Sequence, residues 1–371
     1  MDVVVNIPPQ IMLFYILYGI TGIVPLLAAA YLLLRRSNAI APGITPPMRL
    51  RRWTASFFAV TTLAHVWWLL FYIYSGDLHS VAYLVIVMVD CMLLFVTFAG
   101  MLLAMLQDRR RPVWPALVTM IPFVALWGAV MAFPSKLFEQ ITAAYLVLLG
   151  LLFTVHMIFA IRQYRRWLND NYADLENKKV WLCQAVALGC MLLFVLYVLA
   201  VDMVLIWFIH IIELVLVGLL LWRVETLPLL AQNTAEPSPN PQHLTPTSTI
   251  STIDLEQIDR LLKEHCVATQ LYLQHDLTVQ QLAQAIGTNR TYLSQYFSSL
   301  GITYNTYINN LRINHFISSY QEAATDGRPF TAQQLARESG YRSYRTFSRA
   351  FMQRTGQSVT DWMSEATIAK Q

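Results

Sequence analysis

The sequence predicts an all-α protein, made of a seven-helix transmembrane bundle and a cytoplasmic helical domain with two helix-turn-helix units. Two observations carry this prediction: long apolar runs fill residues 1–225, and a helix–turn–helix pattern occurs twice within residues 253–371. Hydrophobic residues make up 56% of the chain and charged residues only 13%, a balance unusual for a soluble protein. Because the apolar excess is confined to the first part, the two halves are expected to be different domains.

Seven apolar runs are long enough to cross a bilayer as helices, which takes about 20 residues. They cover residues 11–34, 53–74, 81–106, 113–133, 141–161, 180–201 and 203–222. The first run is too long for a cleavable signal peptide, and no basic residue precedes it, so we expect it to be retained. The last two runs meet around Asp202, which predicts a tight hairpin, while Pro25, Pro115 and Pro122 are expected to kink spans one and four.

The Lys and Arg residues in the short connections predict the orientation of these spans. The connections after spans one, three and five hold five, three and five of them, thirteen in all, whereas the opposite side has only Lys136. Positive charge favours the cytoplasmic side, so the N-terminus is expected outside and the C-terminus inside, which requires an odd number of spans. The tryptophans expected at the cytoplasmic boundary are Trp53, Trp114, Trp181 and Trp222.

Ionisable side chains inside the spans are the candidates for sensing, because the outer connections at 75–80 and 134–140 are too short to bind a large ligand. They are His65, Asp90, His156, His210 and Glu213. One interpretation is a shared pocket for a ligand or proton. The other is a set of interhelical hydrogen bonds, each contributing about 1 kcal/mol. No metal and no cofactor are predicted, since no spacing among the five fixes a coordination geometry.

Residues 226–252 differ sharply from both flanking halves. Five prolines are interleaved there with Ser, Thr and Asn, a composition that cannot support a packed core. We therefore expect a flexible linker with partial polyproline stiffness. The four cysteines lie in apolar runs or in the cytoplasmic half, so reduced thiols are expected rather than a disulfide framework.

The C-terminal half contains an internal repeat. The segment Thr278-Val-Gln-Gln-Leu-Ala283 matches Thr331-Ala-Gln-Gln-Leu-Ala336, and a glycine follows each, at Gly287 and Gly340. Each copy is interpreted as a helix capped by its threonine, a sharp turn at the glycine, and a second helix. This is the pattern of a helix-turn-helix unit.

The second helix of each copy separates into a core face and an exposed face. Leu293, Tyr296 and Phe297 are assigned to the core in the first copy, and Tyr344, Phe347 and Phe351 in the second. Five arginines between 337 and 354 form a basic concentration typical of a phosphate-binding surface. The residues predicted to contact DNA are Asn289, Arg290, Thr291, Ser294, Gln295, Arg342, Ser343, Arg345, Thr346 and Arg349.

From about residue 254 to 365 the chain resembles the DNA-binding domain of the AraC/XylS family of bacterial transcription regulators. The resemblance is carried by the two repeats and by the connecting Asn310-Leu-Arg-Ile313. It implies two helix-turn-helix units joined by a long helix, here about 303–320, that enter successive major-groove segments on one face of the DNA. It also implies a regulator that is often a dimer and often an activator.

Several positions depart from the family pattern. Ser298 and Met352 stand where a lysine is usual, Val359 replaces a common proline, and Phe316 replaces a small residue of the connecting helix. Residues 321–329 are interpreted as a lengthened connector. These changes remove phosphate contacts but leave the core pattern intact.

Together these features predict a one-component transcription regulator in the bacterial inner membrane, with a transmembrane sensor or anchor and a cytoplasmic DNA-binding domain, not an enzyme. The expected partners are double-stranded DNA, the lipid bilayer and a second copy of the chain, with RNA polymerase or another membrane protein as further partners. The alternative is a transporter or intramembrane enzyme with an appended DNA-binding domain, although no catalytic motif is visible. Proteolytic release of the domain at the linker also stays open.

Overall fold

A computed structural model describes residues 8–35, 38–41, 43–74, 76–77, 80–133, 135–175, 178–199, 203–230 and 255–368. The described residues are 78% helical and contain no β-strand apart from one isolated bridge between Tyr172 and Thr278. The all-α prediction is confirmed. Two compact units are present, one formed by Met1–Tyr164 and Asn177–Thr234, the other by Arg165–Glu176 and Ala235–Gln371.

The described residues form fifteen α-helices. They are α1 (Pro9–Leu34), α2 (Met48–Tyr74), α3 (Val81–Ala104), α4 (Trp114–Val118), α5 (Met120–Ala132), α6 (Lys136–Asn171), α7 (Trp181–Leu199), α8 (Met203–Thr226), α9 (Leu255–Leu262), α10 (Val279–Ala285), α11 (Arg290–Ser299), α12 (Tyr304–Thr325), α13 (Ala332–Glu338), α14 (Tyr344–Thr355) and α15 (Val359–Ile368).

Six stretches of the described chain are long and apolar enough to cross a membrane. They lie in α1, α2, α3, the α4–α5 pair, α6 and the Trp207–Thr226 part of α8. The described apolar stretch of α7, Trp181–Leu192, is shorter than the others. Several membrane-spanning helices are therefore supported, whereas the count of seven stays a prediction. Asp202, at the predicted hairpin, lies outside the described residues.

The surface of the first unit is apolar. Large side chains such as Leu34, Ile73 and Ile121 are 82%, 65% and 65% exposed. Exposing so many large apolar groups to water would be unfavourable, but lipid tails solvate them without that penalty. The exposed faces therefore suit a hydrocarbon environment.

Proline affects spans one and four differently. Pro25 lies inside α1, which continues without interruption to Leu34. Span four is broken at Thr119, between α4 and α5. Pro122 has no N–H to donate to the carbonyl of Val118, and its ring crowds that carbonyl. The hydroxyl of Tyr145 donates to the carbonyl of Thr119 at 2.6 Å. The carbonyl at the break therefore has a hydrogen-bond partner.

The first residues of the predicted linker are packed against the first unit. Leu227 and Leu230 are buried. The side chain of Gln107 donates to the carbonyl of Pro228 at 2.9 Å and accepts from the N–H of Leu230 at 3.0 Å. The N–H of Leu229 donates to the carbonyl of Thr45 at 2.7 Å. Residues 231–252 of the predicted linker lie outside the described residues.

The second unit has two hydrophobic clusters that share helix α12. The first cluster includes Leu282, Leu293 and Ile308, and the second includes Phe316 and Phe347. Because Ile308 and Phe316 both lie on α12, this helix forms the spine of the unit. It begins after the N-cap Thr303, as predicted, but runs five residues past the expected end, through most of the predicted connector.

A short segment at the end of α6 also belongs to the second unit. Ala173 is buried in the first cluster, and its N–H donates to the carbonyl of Leu277 at 3.3 Å. The side-chain amide of Asn305 donates to the carbonyls of Tyr172 and Ala173 at 3.1 and 2.6 Å. These contacts add a piece of the N-terminal half to the core of the helical domain.

Candidate nucleic-acid interface and membrane-helix cluster

The first helix of each repeat begins at the predicted threonine. The hydroxyl oxygen of Thr278 accepts from the N–H of Gln281, whose side chain in turn accepts from the N–H of Thr278, forming a capping box. Thr331 caps α13 by accepting from the N–H of Gln334. Leu282 and Ala283 of α10, and their counterparts in α13, are buried as predicted.

The turns between the two helices of each repeat contain glycines in the left-handed region. The φ of Gly287 is +71° and that of Gly340 is +86°. Such angles are unfavourable for residues with a Cβ, which explains why both copies have glycine there. Asn289 and Ser343, which sequence analysis assigned to DNA contact, are the N-caps of α11 and α14 and accept from the N–H groups of Tyr292 and Thr346.

Aligning the two N-caps aligns the second helices residue by residue. Leu293 and Phe347 occupy one buried position, and Phe297 and Phe351 another, as predicted. Tyr296 is also buried, and its hydroxyl donates to Asp259 at 2.9 Å. The assignment of Tyr344 to the core is wrong. It is 36% exposed at the first position of α14, although its ring lies 5.8 Å from that of Phe347.

The same alignment places four predicted contact residues on solvent-facing positions. Thr291 of α11 corresponds to Arg345 of α14, and Gln295 corresponds to Arg349, all four being exposed. Within each helix the two residues are one turn apart and share a face: Thr291 with Gln295 on α11, and Arg345 with Arg349 on α14. The first repeat therefore presents polar side chains where the second presents guanidinium groups. The remaining helical candidates, Arg290, Ser294 and Thr346, are partly exposed.

Two arginines of the basic concentration have partners within the unit. Arg342 forms an ion pair with Asp276 at 2.8 Å. Arg354 donates to the carbonyl of Asn310 and to the side chain of Asn314, both at 2.5 Å. Arg354 therefore joins α14 to α12, while Arg345 and Arg349 are the exposed arginines of α14 on the face that corresponds to Thr291 and Gln295.

Arg312 is a buried arginine whose role sequence analysis missed. It is 1% exposed, and its guanidinium donates to the carbonyls of Tyr272 and Gln274 at 2.7 Å each. It also lies over the ring of Tyr341, 5.5 Å from its centroid. Burial lowers the pKa of this guanidinium. Arg312 thus holds the 272–274 segment against the turn of the second repeat, a role that no local pattern around residues 310–313 indicates.

In the first unit, the structure brings together three of the five ionisable candidates. His65 of α2 lies 3.7 Å from the carboxylate of Glu213, and His210 lies 3.6 Å from the same oxygen. Asp90 instead accepts from the indole N–H of Trp68 at 2.5 Å. His156 is exposed on α6. Among the described residues, the structure thus groups two histidines and one carboxylate of the five candidates, and the shared pocket stays a prediction.

Residues 282–365 match a protein-family model described as a helix-turn-helix domain, of the AraC type. The match covers less than a quarter of the chain and does not extend into the apolar half. No curated protein and no solved structure is significantly similar to the chain. The C-terminal part of this protein therefore carries an AraC-type helix-turn-helix domain, which indicates a DNA-binding transcription regulator.

Proposed function

We propose that this protein is a one-component transcription regulator of the bacterial inner membrane, which binds promoter DNA through both repeats of its cytoplasmic domain. The observation that carries the proposal is the exposed face of the second helices, Thr291 and Gln295 on α11 with Arg345 and Arg349 on α14, inside a segment that matches a helix-turn-helix family. Membrane-spanning helices in the same chain would confine this domain to the membrane surface.

The second helices of the two repeats, α11 and α14, have different roles in DNA binding. Arg345 and Arg349 reach guanine edges or phosphates in the major groove, since guanidinium groups pair with both. Thr291 and Gln295 contribute neutral hydrogen bonds in the adjacent groove segment. The helix N-termini at Asn289 and Ser343 add backbone N–H groups that favour phosphate. The second repeat therefore supplies most of the electrostatic affinity, and the first adds sequence discrimination.

The membrane half acts as sensor or anchor, and two copies of the chain associate through it. Association would raise the local concentration of the second DNA-binding domain, so a change in association can transmit a signal without rigid coupling. Activation would then proceed through contact with RNA polymerase or with another membrane protein.

The test uses full-length protein in lipid nanodiscs and a fluorescently labelled DNA duplex. The double variant Arg345→Ala plus Arg349→Ala removes two phosphate-neutralising charges, so the slope of log affinity against log salt should fall by about 1.8. In cells, genome-wide DNA occupancy of the tagged full-length double variant should be lower than that of the wild-type protein. The observable is fluorescence anisotropy over a range of salt concentrations.

The matched control is Arg260→Ala plus Arg328→Ala, which makes the same change in net charge at exposed positions outside α14. It should leave the salt slope unchanged. Equal slopes for both double variants would show that binding reflects general charge, and an absence of binding by the wild-type protein would refute the proposal outright.

A further inference from the structure

We propose that His65, His210 and Glu213 form a binding site for a divalent transition-metal ion of the zinc class within the first unit. His65 lies on α2, while His210 and Glu213 lie one turn apart on α8. One ligand atom from each residue can be chosen so that all three lie within 4.8 Å of one another. Two imidazole nitrogens and one carboxylate oxygen are a ligand set that proteins use for zinc with a fourth position left open.

The hydrogen bonding of His65 favours a ligand role. Its Nδ1 lies 2.9 Å from the carbonyl oxygen of Thr61, an atom that can only accept. In the neutral ring Nδ1 then carries the proton, and the lone pair is on Nε2, which faces the cluster. Metal-binding histidines are typically oriented in this way, by donating their other ring N–H to a carbonyl or carboxylate.

The hydroxyl of Thr21 lies beside both imidazoles, with His65 Nε2 at 3.0 Å and His210 Nδ1 at 3.3 Å. It also lies near the carbonyls of Leu17 and Tyr18 at 3.1 and 2.9 Å. These carbonyls belong to the same helix as Thr21, so its one proton has partners there. Thr21 therefore places an oxygen close to both candidate nitrogen ligands.

Glu213 lies against the same two histidines. Its Oε1 atom is buried and has no hydrogen-bond partner within the described residues. The basic groups that those residues place within 4.0 Å of its carboxylate are His65 and His210. A buried carboxylate requires a compensating charge, and a divalent ion held between it and two neutral imidazoles would provide one.

The distances favour a metal over a shared proton. Oε2 of Glu213 lies 3.7 Å from His65 Nε2 and 3.6 Å from His210 Nδ1. An N–H···O hydrogen bond spans about 2.7–3.2 Å, so these gaps are too long for direct donation to the carboxylate. Metal–ligand bonds of 2.0–2.1 Å in a tetrahedron separate neighbouring ligand atoms by about 3.4 Å. The two gaps between Glu213 and the histidines need to close by only a few tenths of an ångström.

The surroundings of the cluster are largely buried and aromatic. Thr21 is fully buried, and His210 is 9% exposed. The ring of Tyr18 lies 4.9 Å from the ring of His65 and 5.5 Å from that of His210, and Phe14 also contacts His210. Such a wall limits the access of water, while the hydroxyl of Thr21 supplies an oxygen near both nitrogens.

This inference deepens the sensing role proposed above for the membrane half, because it names the class of ligand. Metal binding is measured without DNA, so the two proposals can fail separately. A protein that binds metal but not DNA would refute only the regulator, and the reverse result would refute only the metal site.

The experiment uses full-length protein in nanodiscs, stripped of metal with a chelator and titrated with Co²⁺ and then Zn²⁺. We expect one Co²⁺ per chain with the visible absorption bands of tetrahedral cobalt, and displacement of those bands by Zn²⁺. Glu213→Gln and His210→Gln should each weaken Zn²⁺ binding by at least about tenfold in a chelator competition assay, since even indirect changes at metal sites have effects of that size.

His156→Gln is the matched control, because it removes an exposed membrane-half histidine outside the cluster and should leave Zn²⁺ binding unchanged. Size-exclusion elution and thermal unfolding without metal check that each variant folds. The proposal is overturned if the wild-type protein takes up no stoichiometric metal. It is equally overturned if the cluster variants bind Zn²⁺ as tightly as the control does.

Discussion

Gly340 lies in a more crowded turn than its counterpart in the first repeat. An added Cβ would lie 2.7 Å from the carbonyl oxygen of Leu273, whereas a Cβ on Gly287 would meet nothing within 4 Å. The ring Nδ1 of His275 donates to the carbonyl of Gly340 at 2.9 Å. This hydrogen bond holds the turn at Gly340 against the segment that contains Leu273 and His275. The two glycines therefore share a backbone conformation but differ in their surroundings.

We predict that Gly340→Ala destabilises the helical domain more than Gly287→Ala does. Both substitutions place a Cβ at positive φ, which costs about 1–2 kcal/mol. Only the first also collides with backbone atoms that cannot rotate away. Hydrogen–deuterium exchange of the full-length protein in nanodiscs should show faster exchange over α13 and α14 in Gly340→Ala, and a smaller increase over α10 and α11 in Gly287→Ala. Equal increases in exchange for the two variants would contradict the expected collision at Gly340.

At the scale of single residues, the features that depend on neighbouring residues in the sequence were predictable. The threonine caps and the turn glycines were predicted because capping and positive φ are properties of neighbouring residues. The ion pair of Arg342 with Asp276 and the carbonyl contacts of Arg312 were not predicted. Their partners lie dozens of residues earlier in the chain, and no periodicity links them.

At the scale of helices, Phe316 shows how a departure from a family pattern can become structural. The AraC/XylS pattern has a small residue at this position, but here the ring is fully buried. It lies 4.4 Å from the ring of Phe347, 5.7 Å from that of Phe351 and 6.4 Å from that of Trp362. The aromatic cluster of the second repeat is therefore packed around Phe316.

We predict that Phe316→Ala, although it restores the family pattern, destabilises the domain by about 3–5 kcal/mol, because it leaves a cavity where a phenylalanine was buried. Faster hydrogen exchange over α12 and α14 in the full-length protein would register the loss. Met352→Lys is the useful comparison: it also restores the family pattern, but at a position 45% exposed, so stability should not change. A stable Phe316→Ala variant would mean that the second cluster repacks.

Helix positions were largely predictable, since apolar periodicity and caps define them, but the end of α12 was not. Residues 321–325 are Gln, Glu, Ala, Ala and Thr and contain no helix breaker, so the helix continues to Thr325, near Gly327. The break in span four was indicated by Pro122, whereas the uninterrupted α1 shows that Pro25 alone does not end a membrane helix. Proline predicts a lost hydrogen bond, and neighbouring contacts determine whether the helix stops.

At the scale of the whole molecule, sequence analysis identified two unlike halves but not which helix faces meet. The membrane helices are apolar on all sides, so no polar stripe indicates the partner of His65. Its proximity to His210 and Glu213 became visible only from the packing of α1, α2 and α8. The insertion of Ala173 into the core of the helical domain was equally inaccessible from periodicity.

The orientation of the chain gives the last prediction. Thirteen basic residues on one side against one on the other predict that the C-terminus is cytoplasmic, where DNA is accessible, and this requires α7 to cross the membrane. Its 19 residues would span about 28 Å as a helix, close to the thickness of a bilayer core. Alkaline phosphatase fused after residue 201 should therefore be active outside, and green fluorescent protein fused at the C-terminus should fluoresce inside. A fusion after residue 110 provides the internal control. An inactive phosphatase after residue 201 would mean that α7 does not cross the membrane. Six spans would then place the C-terminus outside the cell. The intact protein could not bind DNA in that orientation.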